Sequence, residues 1–425
     1  MDEENEDDDE MLAVTSPAAV QSTNTCVAAS IPFMYEIMRR RKKLKRRRQQ
    51  KRKFKAFDWE NFLSRDDLHI SRTLRMKKKS FFKLVDILVK SGFLQRKGHH
   101  NAISPRTRIF IYLHFARGVS YLDVCNLTGI SRPSYYRIVN QVGEAILRCE
   151  NIEINNIHFP TGIQECRVVA EGFKSKSFRG IISNCVAAVD GYLLKTVCPP
   201  KSVGNVRSFF SGHYQCFGMN VQAACDAHCR FLFIGVAAPG VMPDRDALNE
   251  VELGKLIESL PLGFVAIGDA AYAATERMCA LFYGNQAKQE ENDNFNFYGS
   301  QCRIRIEMAF GLLNMKFEVL QKNIKMRPKL LKKHLIAIAR LHNYCINERL
   351  AENGSAFDTL RQAEEALGTN APTTLQDRNG NPVDDCNSTT ASIVQPSERI
   401  YGFSAVREAM VEKVKKAGLK RPVKL

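Results

Sequence analysis

From Phe57 to about Leu147 the apolar positions recur three and four apart, which is the spacing of amphipathic helices. From Asn184 the pattern changes to short apolar runs, Cys185 to Val189, Met219 to Cys225 and Phe231 to Ala238, each bounded by turn-forming residues. Asp226 and His228 occupy the reversal between the second and third runs. Pro239-Gly240 is followed by a helical stretch from about Asp246 to Leu260, a fourth strand over Phe264 to Ile267, and a long helical run from about Ser300 to Leu320. The order β-β-β-α-β-α, with its first three strands antiparallel, predicts an α/β core of the ribonuclease-H type behind an N-terminal all-α segment.

Within that segment, Pro105 to Arg117 reads as a helix ended by Gly118. Ser120 can cap Tyr121 to Leu127, with Asp123 as its reciprocal partner, and Thr128-Gly129 makes a short turn. Ser131 caps a third helix, with Pro133 in its first turn and Ile138, Val142 and Ile146 on one face. This is the pattern of a helix-turn-helix, offering Arg132, Ser134, Tyr135, Tyr136 and Arg137 to a DNA groove. A plain three-helix bundle fits the same pattern. The chain divides into an acidic disordered tail (1–30), a basic segment (31–56), the helix-turn-helix domain (57–150), the nuclease domain (180–350), and a polar linker with a basic tail (351–425).

Composition adds a polyanionic partner. Of 425 residues, 62 are Lys or Arg and 45 are Asp or Glu, a net charge of +17, which favours a polyanion through counterion release without choosing between nucleic acid and an anionic membrane. The run from Arg39 to Lys55 suits nuclear import, a DNA-backbone contact or a solvated helix. The absence of a signal peptide, and of an apolar run near the roughly 18 residues a spanning helix needs, predicts an intracellular protein with no membrane partner. The nucleus is the expected compartment, with shuttling from the cytoplasm. The 13 cysteines lack the even spacing of a disulfide framework, and Cys225, His228 and Cys229 are too few for a structural zinc site.

The candidate chemistry is acidic. Asp190 and Asp269 each end an apolar strand, where a carboxylate needs a cation, donors or a raised pKa. Glu307 lies among Ile304, Ile306, Met308 and Phe310, on the part of its helix expected to face the sheet, although Arg303 or Arg305 could simply pair with it. Brought together, Asp190, Asp269 and Glu307 would repel one another unless they shared Mg²⁺ or Mn²⁺, which makes them the catalytic candidates. Asp244 is a fourth possible ligand, while Asp246 suits a helix cap. Lys195, Lys201, Arg207 and His213 fit either a DNA-backbone contact or ordinary surface charge.

Six blocks in order resemble the PIF/Harbinger superfamily of DDE transposases. They are Val186 to Gly191, Asn220 to Asp226, Pro239-Gly240 with Asp244, Gly268 to Tyr272, Arg303 to Gly311, and Leu341-His342-Asn343. The resemblance implies a ribonuclease-H-like nuclease, with Asp190, Asp244, Asp269 and Glu307 as metal-binding acids. It also implies phosphodiester hydrolysis followed by strand transfer, and a separately encoded Myb-like DNA-binding partner. Pro243 and the segment Leu281 to Gly284 depart from the family pattern and leave loop geometry open. Two other readings stay open: a domesticated, non-cutting DNA-binding descendant, and a regulatory nucleic-acid-binding protein of unrelated fold. The oligomeric state is open as well, a homo-oligomer included.

Overall fold

The structure, a computed structural model, describes residues 36, 38–42, 57–94, 103–353 and 404–422. The described residues before 57 and those from 57 onward belong to two separate units. In the first, residues 38–42 are helical and Arg40 Nε donates to Glu36 at 3.3 Å. The expected acidic tail, most of the basic run and the 354–400 connection lie outside the described residues.

The second unit opens with six helices: α1 (Trp59–Leu63), α2 (Asp67–Leu74), α3 (Lys78–Lys90), α4 (Pro105–Ala116), α5 (Tyr121–Thr128) and α6 (Arg132–Arg148). Short polar side chains start most of them, because each satisfies a backbone N–H that has no partner within the helix. Ser104 accepts from the Thr107 amide, Ser120 from that of Leu122 and Ser131 from that of Ser134. Gly129, at φ 70°, ends α5 in the left-handed region that glycine tolerates. The core beneath is aromatic, with Trp59, Phe62, Phe81 and Phe110 buried together.

After α7 (Ile163–Lys176) come the strands β1 (Cys185–Lys195), β2 (Phe210–Ser211), β3 (Cys216–Cys225) and β4 (Phe231–Pro239). They are followed by α8 (Asp244–Glu250), α9 (Glu252–Glu258), β5 (Val265–Gly268), β6 (Met278–Ala280) and α10 (Gly284–Ala287). The chain continues through α11 (Glu290–Lys316), α12 (Pro328–Asn353) and α13 (Ala405–Lys416). The sheet runs β2-β3-β1-β5-β6, with β4 also on β3. β1 is antiparallel to β3, as β3 is to β4, whereas β5 is parallel to both β1 and β6. This mixed α/β arrangement is compatible with a nuclease core, and its first three long strands are antiparallel as the sequence predicts.

Besides the short strands β2 and β6, which the apolar runs do not predict, and the start of α11 at Glu290 rather than near Ser300, three features differ from the sequence reading. The helix expected over 246–260 is two short helices broken at Val251, where φ −113° and ψ 162° leave helical space. The basic tail is not merely a charged end: Met410, Val411 and Val414 of α13 are buried, and Arg407 stacks over Phe282 at 4.1 Å. Finally, the helical and α/β parts, separable on the sequence, share one core and one compact unit. Tyr112 Oη lies 3.2 Å from His334 Nδ1, and Arg340 Nη1 donates to the carbonyls of Ile146 and Leu147 at 3.0 and 2.9 Å. No helix among the described residues is long and apolar enough to cross a membrane.

Candidate active site

Strand register brings the first two acids together. Ala188 of β1 pairs in parallel with Ile267 of β5, and two residues further along each chain stand Asp190 and Asp269. Side chains alternate along a strand, so each of these acids follows the face of its neighbour two places back. Ala188, Val221, Ala223 and Ile267 belong to the core shared with α11, while Val189, Ala224 and Ala266 belong to the core on the opposite face. Asp190 therefore opens on the α11 side, and Asp269, just past the end of β5, continues from that side.

Asp244 arrives from elsewhere. It is the first residue of α8, whose successor α9 packs Leu253 and Ile257 into the opposite core. Its Oδ1 occupies the space that a Cβ on Gly191 would fill, so a side chain at that position and Asp244 cannot coexist as placed. The same oxygen accepts from Asn220 Nδ2 at 2.8 Å and Gln222 Nε2 at 2.9 Å. Gln222 Nε2 also donates to Asn220 Oδ1 at 2.8 Å, and Tyr272 Oη donates to Gln222 Oε1 at 2.7 Å. All three partners are buried, so the chain of hydrogen bonds fixes which way Asp244 points.

The electrostatics join the acids. Asp190 is pushed up to about 8 by removal from water, then by the charge of Asp269 and more weakly by that of Asp244, against an opposing hydrogen bond from its neighbour's amide. That bond, from Gly191 N to Asp190 Oδ1, is 2.8 Å. Asp269 is raised by desolvation, and further by Asp244 and Glu307, while the Ala271 amide at 2.9 Å and Arg303 oppose the shift. The acids thus lie in one another's field, which is the electrostatic condition a shared cation relieves.

Glu307 corrects the sequence reading in one respect. Its side chain is 44% exposed rather than turned into the sheet, and it is paired with Arg303. The Arg303 guanidinium sits close enough to lower both Asp190 and Asp269, yet its buried Nε has no hydrogen-bond partner. One incompletely satisfied arginine thus supplies positive charge to three carboxylates. Among the described residues no three His, Cys, Asp or Glu side chains stand close enough to hold a metal ion. The reason is visible: Asp244 is held against Gly191 by two amides, and Glu307 is held by Arg303. The donor chemistry nevertheless fits Mg²⁺ or Mn²⁺, because carboxylate oxygens are hard ligands and Asp190 lacks a compensating cation of its own.

The DNA-binding candidates divide. Arg132, Tyr136 and Arg137 are exposed, with the Arg132 guanidinium 5.0 Å from the Tyr121 ring and 5.8 Å from that of Tyr136. Ser134 is engaged in the α6 cap. Tyr135 is a correction: it is 3% exposed and faces the core, so it is not available to a groove. Lys195, Lys201, Arg207 and His213 are all on the surface. Sequence reasoning missed Asn220, Gln222 and Tyr272; the available signal was two amide side chains two residues apart in an apolar strand. It also missed Tyr214, a residue 55% exposed overall whose hydroxyl is raised by partial burial and then by the charges of Asp190 and Asp244.

No curated protein and no solved structure matches the chain. Residues 189–343, which run from Asp190 through Asp244, Asp269 and Glu307 to Asn343 of α12, match the family model of the DDE superfamily endonucleases, and in that segment the chain is similar to this nuclease family.

Proposed function

We propose that the chain is a divalent-metal-dependent DNA endonuclease of the DDE transposase type, related to the PIF/Harbinger group and able to join as well as cut strands. The observation that carries this reading is the approach of Asp190, on β1, and Asp269, just past the end of the adjacent parallel β5, where the charge of Asp269 raises Asp190 and that of Asp244 raises both. Asp190 and Asp269 would hold the metal first, with Glu307 joining as it leaves Arg303, and Asp244 supplying charge from beyond Gly191. The bound ion supplies positive charge against the attacking and leaving oxygens of a phosphodiester. Asn220, Gln222 and Tyr272 keep Asp244 in one orientation, and Arg303 stabilises the carboxylates until they are engaged. DNA is the substrate, the nucleus the working compartment, and a Myb-like protein and further copies of the chain are the proposed partners.

The test is nicking of supercoiled DNA with Mg²⁺ or Mn²⁺. Asp190→Asn and Asp269→Asn should lose at least about 100-fold in rate, on the order of the loss of a principal charge-stabilising group, and Glu307→Gln should lose activity as well. Undiminished nicking by either aspartate variant would remove the assignment. A second reading, a domesticated DNA-binding protein that no longer cuts and acts with a Myb-like partner, is favoured by the Arg303–Glu307 pair. It predicts metal-independent DNA binding and no nicking by the wild type.

A further inference from the structure

The segment joining α11 to α12 carries charge that folding does not use. From Val319 to Ile346 the chain contains no Asp or Glu, and Lys322, Lys325, Arg327, Lys329 and Lys332 are exposed. Lys322 is tied down, donating to the Gly118 carbonyl between α4 and α5. Among the described residues no carboxylate pairs with Lys325, Arg327, Lys329 or Lys332. Lys329 and Lys332 stand in the first turns of the 26-residue α12, whose first turn holds no acid. Cations are disfavoured there by the helix dipole, so they weaken the helix they sit on.

The backbone beneath these charges is fixed. Tyr192 Oη donates to the Leu320 carbonyl at 3.2 Å, Ile324 N to that of Lys195 at 3.2 Å, and Val197 N to that of Ile324 at 3.2 Å. The segment therefore begins beside Lys195, about 17 Å along β1 from Asp190 at roughly 3.3 Å per residue. At its other end α12 packs parallel to α6. His334 meets Asn140 at 3.3 Å and Lys333 meets Glu144 at 2.9 Å, while further on Arg340 reaches Ile146. Lys329 and Lys332 thus come level with the part of α6 that exposes Arg137.

We propose that Lys325, Arg327, Lys329 and Lys332 form a phosphate track for double-stranded DNA, continuous with Arg137 at one end and Lys195 at the other. Rigidly spaced cations without acid partners exchange condensed counterions for phosphates at little ordering cost. The track leads from α6 toward the acids, so its use in cleavage rests on the nuclease reading, whereas DNA binding by it does not.

The experiment compares the full chain carrying Asp190→Asn with the same chain also carrying Lys325→Gln, Arg327→Gln, Lys329→Gln and Lys332→Gln. Binding to a labelled random-sequence duplex is measured without divalent metal across a salt series. The slope of log affinity against log salt should become shallower by about 3 to 4, near 0.9 for each phosphate that is no longer neutralised. The single variants Lys325→Gln and Lys329→Gln, should the quadruple variant fold poorly, should each make the slope shallower by about 0.9. Unchanged affinity and slope in variants that melt like the parent overturns the track, as does a loss confined to binding of phosphatidylserine vesicles. Failure of the wild type to nick DNA, with the slope change intact, would count against the nuclease reading alone.

Discussion

Asp190 shows at the scale of one residue what the sheet demands. Its native pKa of about 8 lies above the ordinary 3.8, so between these values the folded chain holds a proton that the unfolded chain has released. The sign follows from linkage: this group makes the metal-free fold less stable as pH rises from about 4 to about 8, and contributes no slope below that window. Asp190→Asn removes the charge while keeping the shape. The variant should therefore gain stability over the wild type in chelator, by on the order of 1–3 kcal/mol at pH 8 once partial solvent access is allowed for, and much less at pH 5. Thermal melts at both pH values check this, and a variant less stable than the wild type at pH 8 would refute it. The acid itself was legible in the sequence because a carboxylate closing an apolar strand is costly without a purpose. Asn220 and Gln222 were not, because an amide in a strand looks the same whether it meets solvent or a buried aspartate.

Among the elements, β1 does the most positioning, since it places Asp190 beside Asp269 and Gly191 beneath Asp244. A methyl group at Gly191 would meet Asp244 Oδ1 directly, so Gly191→Ala should push Asp244 out of its amide clamp. We expect the variant to lose nicking activity by more than about tenfold, equivalent to about 1.4 kcal/mol, while its circular dichroism and oligomeric state stay those of the wild type. Full activity in the variant would show that Asp244 takes no part. The four longer strands were readable from apolar runs and turn residues, whereas β2 and β6, only two and three residues long, were not. The phase of α11 was not: Phe295, Cys302, Ile306, Ala309 and Leu313 face the core, but Ile304 is 44% exposed. An isoleucine on the outer side invites a helical wheel rotated by one position, and at about 100° per residue that shift separates a buried Glu307 from the exposed one observed.

For the whole molecule the decisive fact is that the helical part and the α/β part close over one another, which local periodicity cannot reveal because the contacts join residues about two hundred positions apart. One histidine sits at this junction and another inside the α/β part. His334 lies against Tyr112 and Asn140, and His342 is within 2.9 Å of the Cys229 carbonyl. Burial lowers His334 to about 4 and His342 to about 3, so both are neutral in the native protein. An unfolded histidine begins to take a proton near pH 6.5, whereas these do not until the pH is far lower. Their contribution is therefore complete above about pH 6.5 and declines as pH falls toward 4, the reverse of the trend at Asp190. His334→Gln keeps polar atoms at the junction but cannot titrate, so the stability gap between wild type and variant should shrink by about 1–2 kcal/mol on going from pH 7 to pH 5. Urea unfolding at the two pH values measures that gap directly. A gap that stays constant or widens at pH 5 would mean that His334 is already charged in the folded protein, and that the junction between the two parts is wetter than its burial implies.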